Sequence, residues 1–170
     1  MNTEINIEFK DLVEELTWNI LDNKPGKPGR QAIATTRGQQ VETAAAQLLS
    51  SHPNVDRIDE QVFEESVDEF SNIDLVVHTK DGRTVYVPCA RDLWLGTSQQ
   101  DRLQIVWAKH KSGLFEQFDV CYLCLDDVND ILTKVFTKRA RRGVKLQECC
   151  QVLFDKNVLM NFNHLWEHLM

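Results

Sequence analysis

No apolar run in this sequence is long enough to cross a bilayer: the longest, such as Val120–Leu125, fall far short of the ~20 residues that a membrane helix needs. The stretch Met1–Lys10 is acidic and lacks the basic-then-apolar order of a signal peptide, so neither membrane insertion nor secretion is expected. Internal repeats and low-complexity segments are also missing. The five cysteines (89, 121, 124, 149 and 150) are an odd number at scattered positions, which predicts free thiols in a reducing, cytoplasmic compartment. Basic residues are in short supply, with 19 Lys+Arg facing 26 Asp+Glu for a net charge of −7. Taken alone, that balance disfavours nucleic acid as a partner.

What is present is an ordinary globular composition, 42% hydrophobic and 26% charged. A chain of 170 residues buries roughly 70% of the surface it exposes when unfolded, enough for one core without disulfides, so a single domain over 1–170 is expected. The charges are segregated. Six acids and one base lie between Met1 and Asp22, and eight acids and one base between Asp56 and Asp74. By contrast, Lys24–Arg37 holds four bases and Lys134–Lys145 six, with no acid in either. Two such stretches can be solvated faces or, if they meet in the fold, a track for a phosphate backbone.

Phe9, Leu12, Val13, Leu16 and Ile20 recur at helical spacing, which predicts an amphipathic helix over Ile7–Leu21 within residues 1–23. Lys24-Pro-Gly-Lys-Pro-Gly-Arg30 carries two Pro-Gly pairs and reads as loop over 24–36. A second helix is expected over Arg37–Leu49, burying Val41, Ala45, Leu48 and Leu49 and ending at His52-Pro53-Asn54. A short strand around Gln61–Glu64 precedes Ile73–Thr79, whose nearly continuous β-branched apolar run suits a central strand. Asp81-Gly82 suggests a two-residue hairpin turn into the partner strand Val85–Ala90. Ser98–Lys109 reads as helix and Phe118–Leu125 as a buried strand. Asp127–Lys138, Gly143–Leu153 and Asn161–Leu169 then supply C-terminal helices within 126–170. This order predicts a mixed α/β domain.

Cys121-x-x-Cys124 has the spacing of zinc and redox motifs, but within a strand the two thiols point to opposite faces, so buried apolar cysteines are expected instead. Cys149-Cys150 has no partner pair, and the histidines at 52, 78, 110, 164 and 168 form no cluster. His164 and His168, spaced i, i+4, read as surface residues. The carboxylates are more informative. Asp74 sits one residue into an apolar strand, where an unpaired buried charge costs several kcal/mol, so it requires a partner, a metal or solvent. Glu42 lies at the edge of the apolar face of its helix. A helix acid, a strand acid, a hairpin and a partner strand form an arrangement that can hold two acids around one Mg2+, which keeps waters able to attack phosphate.

Three pieces of sequence resemble the PD-(D/E)XK superfamily of restriction-endonuclease-like nucleases. Gly38-Gln-Gln-Val-Glu42-Thr-Ala-Ala-Ala-Gln-Leu-Leu49 is similar to that family's first core helix. Asn72-Ile-Asp74-Leu-Val-Val is similar to its aspartate strand, and Val85-Tyr-Val-Pro-Cys-Ala-Arg91 stands where the (D/E)-x-K strand belongs. The stretch from Val87 to Arg102 also resembles the strand-to-helix passage of some Type II restriction enzymes. The likeness covers residues 37–125 and implies a restriction-endonuclease-like core with a mixed central sheet flanked by helices. Glu-x-Lys itself is missing. A two-residue turn sets Asp74 opposite Cys89, with Arg91 in the lysine's place; an extra turn residue sets Pro88 and Ala90 there and leaves no cation. Arg91 can offset phosphate charge but stays protonated and cannot act as a base.

The resemblance implies a Type II restriction-like DNA endonuclease that hydrolyses phosphodiester bonds with Mg2+ or Mn2+. Glu42 and Asp74 hold the metal, the metal lowers the pKa of the attacking water, and Arg91 stabilises the transition state. Asp92, Gln100 and Asp101, with Cys89 in the motif, are secondary candidates. Arg37, Lys138, Arg139, Arg141 and Arg142 are the expected phosphate contacts. Cutting both strands suggests a homodimer. Two alternatives stand beside this reading: a catalytically inactive nuclease-fold module that binds DNA or a protein, and an accessory factor anchored by Trp94, Leu95 and Trp107.

Overall fold

Helix α1 (Thr3–Leu21) exists because its apolar residues recur on one stripe: Ile5, Phe9 and Val13 are buried, and Leu12 and Leu16 pack at their margin. The computed structural model describes residues 3–63, 72–89, 106–125 and 140–170, with 3, 61–63, 72 and 140–147 described by their backbone. Within α1 the buried Thr17 satisfies its hydroxyl by donating to the Val13 carbonyl four residues back, at 2.6 Å. Ile20, expected on the inner face, is 38% exposed, because the stripe has rotated onto Thr17 and Leu21 by that turn.

The expected loop is shorter than 24–36. Helix α2 (Arg30–Leu49) starts on Gly29, so the Pro-Gly pairs interrupt only Lys24–Gly29, and the segment before Arg37 is already helical. Val41, Ala44, Ala45 and Leu49 are buried on its inner side. Between α1 and α2, Arg37 grips Glu14 in a two-pronged ion pair, Nε to Oε1 at 2.6 Å and the second nitrogen to Oε2 at 3.3 Å.

Four strands follow: β1 (Val55–Phe63), β2 (Asn72–Thr79), β3 (Thr84–Val87) and β4 (Asp119–Val120), in that spatial order. The β1–β2 and β2–β3 pairs are antiparallel and β3–β4 is parallel, giving the mixed sheet of an α/β fold. The hairpin turn differs from expectation. Thr79 pairs with Arg83 across a three-residue turn, Lys80-Asp81-Gly82, with Gly82 at φ +89° where a side chain is strained. The register is accordingly Leu75 with Val87 and Val77 with Val85, one residue away from the pairing that sets Asp74 opposite Cys89.

Residues 106–111 are helical, and a short helix α3 (Leu114–Gln117) leads into β4. The predicted strand Phe118–Leu125 is present as β4 and β5 (Tyr122–Leu123), and β5 pairs in parallel with β6 (Leu159–Met160). Its amides alternate. Cys121 and Leu123 donate to Tyr86 and Pro88 on the β3 side, while Tyr122 and Cys124 donate to Val158 and Met160 on the β6 side. Helix α4 (Ala140–Asp155) precedes β6, and α5 (Phe162–His168) follows it.

The strands carry apolar residues on both faces. Leu75, Val77, Val85, Val87, Cys121 and Leu123 join the core under α1, α2 and α5. Val76, Val120, Tyr122 and Cys124 join a second cluster with Val106, Cys150 and Leu153. Cys121 and Cys124 therefore do lie on opposite faces, both buried, and none of the five cysteines is in a disulfide.

The last turn of α5 is fastened by polar side chains from the β-hairpin and the α2–β1 connection. Arg83 donates to the carbonyls of His168 (2.9 Å) and Leu169 (3.0 Å), and Asn54 donates to Leu169 (2.8 Å). A cation at a helix C-terminus also complements the helix dipole. Arg83→Met, which keeps the stem and removes the donors, is expected to lower unfolding stability in urea by about 1–2 kcal/mol, the worth of charge-assisted bonds at a partly exposed site.

His52 reads out the same contact. Its Nε2 meets the Trp166 carbonyl at 2.8 Å and must donate there, so Nδ1 accepts from the Asn54 amide at 3.0 Å and the ring is neutral. Burial depresses its pKa, opposed by the Trp166 hydrogen bond and assisted by the Arg83 charge. An unfolded histidine binds its proton near 6.5 while the folded one resists, so stability should fall as pH drops below 6.5 towards the depressed value. Thermal melts should show a steeper loss between neutral and mildly acidic pH for the wild type than for His52→Gln, whose amide cannot titrate.

Candidate functional site

Asp74 answers its burial problem through the backbone. Pro88 has no N–H and interrupts the ladder just beyond Val87, so the next amide needs another acceptor. The half-buried Asp74 carboxylate supplies it, with Cys89 N–H donating to Oδ2 at 2.7 Å. On its other side Pro88 accepts from the Leu123 amide at 2.9 Å. Cys89, which also bridges in parallel to Leu123, is thereby tethered to Asp74.

Glu42 is half-buried on α2, which packs against β2, the strand of Asp74. Arg91, Asp92, Gln100 and Asp101 lie outside the described residues, as do Lys138, Arg139, Trp94 and Leu95. Arg141 and Arg142 belong to the start of α4. Arg37 is engaged by Glu14, so a phosphate would have to compete with that carboxylate for its guanidinium. Trp107, considered as an interface anchor, packs against the second core cluster with Lys111 Nζ 5.5 Å from its ring centre. A groove of about 280 Å³ lined by Ala46, Ser50, Val55, Arg57, Ile58 and Glu60 contains none of the expected site residues.

A second constellation was not anticipated. Asp119 and Cys121, two apart along one strand, project to the same side, and the last turn of α5 brings His168 to them. His168 Nε2 lies 2.9 Å from both Asp119 oxygens, and Cys121 Sγ lies 3.6 Å from Oδ1. One ligand atom from each residue falls within 4.8 Å of the other two, a group that could hold a metal ion. Burial alone would raise the Asp119 carboxyl, but the hydrogen bond and charge of His168 outweigh it and hold the group below the usual range. Burial and the neighbouring Asp119 push the Cys121 thiol well up. A thiol held protonated and directed at a carboxylate is not a nucleophile awaiting a base.

His168 is thus no free surface residue. His164, four residues earlier, is turned away, bonding Asn161 and meeting the Phe154 ring edge-on. Alternation along Asp119-x-Cys121 was readable from the sequence, whereas His168 joins them only through the tertiary fold. Among the described residues no helix is long and apolar enough to cross a membrane. No family model, curated protein or solved structure matches the chain.

Proposed function

We propose that the chain is a restriction-endonuclease-like domain that hydrolyses DNA phosphodiester bonds with Mg2+ or Mn2+. Glu42 and Asp74 hold the metal directly or through water, and the metal lowers the pKa of the attacking water. Arg91 offsets charge on the phosphate, while Lys138, Arg139, Arg141 and Arg142 track the backbone. Arg37 joins them by exchanging its Glu14 partner. Two copies cut the two strands.

The observation that carries this reading is the Asp74–Cys89 hydrogen bond of 2.7 Å, which ties the strand acid to the start of Cys89-Ala-Arg91, the segment that the resemblance assigns to the (D/E)-x-K motif. The acid-bearing helix, acid-bearing strand, hairpin and partner strand also occur in the required order within a mixed sheet.

One observation favours a catalytically inactive module. With the three-residue turn, the step beyond Leu75–Val87 sets Asp74 against Pro88, the register in which no cation takes the lysine's place. Supercoiled plasmid decides between the two. With Mg2+ the wild type is expected to nick and linearise it, and Glu42→Ala is not; EDTA should stop the reaction. Salt-dependent DNA binding without cleavage would establish the inactive module. Neither cleavage nor binding would remove DNA from the account. Given the net charge of −7, affinity for DNA should be weak in EDTA and rise with divalent metal.

A further inference from the structure

The Asp119–Cys121–His168 group has no part in that reading, and its chemistry is of another kind. A thiol, an imidazole and a carboxylate form a mixed sulfur, nitrogen and oxygen donor set, which suits Zn2+ and other borderline divalent ions and does not suit Mg2+. We propose that these three side chains bind a Zn2+-type ion that pins the end of α5 to the central strand, with water completing the shell.

The geometry is close to what such an ion requires. Ligand bonds of about 2.3 Å to sulfur and about 2.0–2.2 Å to nitrogen and oxygen imply, at tetrahedral angles, a sulfur–oxygen separation of roughly 3.5 Å and a nitrogen–oxygen separation of roughly 3.3 Å. The observed sulfur–oxygen and nitrogen–oxygen separations are 3.6 Å and 2.9 Å and the sulfur–nitrogen separation is within 4.8 Å, so side-chain rotations are needed to seat an ion between the three. Cys121 is fully buried, while the His168 and Asp119 side chains are 24% and 35% exposed, leaving an entry path and a water position on one side. The supporting contacts are firm. Arg83 bonds the carbonyls of His168 and Leu169, and its own charge is offset by Asp81 at 3.2 Å. Each ligand is thus carried on a fixed element before any ion arrives, which reduces the ordering cost of binding.

Cobalt provides the test because it reports its ligands spectroscopically. The full chain, stripped of metal by chelator and dialysis, is titrated with Co2+ and then with Zn2+ or Mg2+. Binding is expected at one ion per chain, with a sulfur-to-cobalt charge-transfer band that Zn2+ removes and Mg2+ does not. Zn2+ at ~100-fold above its Kd should raise the melting midpoint by ~5 °C or more. The band should vanish in Cys121→Ser and persist in Cys124→Ser, whose thiol lies in the other core cluster. Should Cys121→Ser not fold, His168→Gln, altered at a partly exposed position, must weaken Co2+ binding at least ~10-fold and abolish the Zn2+ shift. Absence of the band in the wild type, or a band unchanged in Cys121→Ser or His168→Gln, would overturn the proposal and leave a hydrogen-bonded trio. Plasmid cleavage is not a readout here, so the outcome is independent of the nuclease reading.

Discussion

Asp74→Asn is expected to reduce Mg2+-dependent plasmid cleavage by ~100-fold or more while shifting the melting midpoint by no more than about 2–4 °C. The two effects separate because, under the proposed nuclease function, the carboxylate has a second duty beside its hydrogen bond. Its Oδ2 accepts the Cys89 amide at 2.7 Å, and the side-chain carbonyl of asparagine can accept the same bond. What asparagine lacks is the negative charge that a divalent ion requires. Asp74→Ala removes both, leaving a buried-edge amide without its acceptor, and should additionally cost about 1–3 kcal/mol of stability. If Asp74→Asn cuts as well as the wild type, Asp74 is a strand-end acceptor and nothing more, and the metal must be sought elsewhere.

Phe162→Ala is expected to destabilise the fold by about 3–5 kcal/mol. Phe162 opens α5 and is fully buried; its ring stacks on the fully buried Phe9 of α1, with centroids 4.5 Å apart and planes 11° from parallel, and lies 6.2 Å from the Trp166 ring. Truncation leaves a ring-sized void between two helices that share one buried core with the sheet, so collapse can recover little. Of the total, about 0.5–1.5 kcal/mol belongs to the ring pair itself. Urea unfolding should show this loss in Phe162→Ala and a change within about 0.5 kcal/mol in Ile7→Ala, an α1 residue that is 59% exposed. A loss below about 1 kcal/mol for Phe162→Ala would mean that α1 and α5 do not pack as described.

Much of the fold was legible where one physical signal dominated. The 3.6-residue stripe of α1, the β-branched run of β2 and the apolar run Phe118–Leu125 each give one pattern and one answer. Difficulty arose where signals competed. Val55–Phe63 is a nine-residue edge strand, but Asp56, Arg57, Asp59 and Glu60 break up its apolar pattern, as suits a strand with one solvent-facing margin, so only its end was anticipated. The Pro-Gly pairs masked the early start of α2, since Gly29 closes the loop and also begins the helix. At Asp81-Gly82 the two-residue turn was the stronger local pattern. The Thr79 hydroxyl instead bonds Asp81 and accepts the Arg83 amide, which widens the turn by one residue and moves the register. Asp74 could be singled out from sequence because a charge in an apolar strand demands an explanation. His168 could not, since its partners lie 49 and 47 positions away and nothing local marks it.

The strand through residues 119–124 donates amides alternately to β3 and to the β6 side, so it is central only because the last stretch of chain covers one of its margins. Without that stretch, the Tyr122 and Cys124 amides would face outward from the apolar run Val120–Leu125, ready to pair with the same run in another molecule. A ribosome-stalled or proteolytically shortened chain ending before Val158 would therefore be sticky rather than merely unstable. β6 thus does more than add two residues of strand, because it closes a margin at which two copies of the chain could otherwise pair.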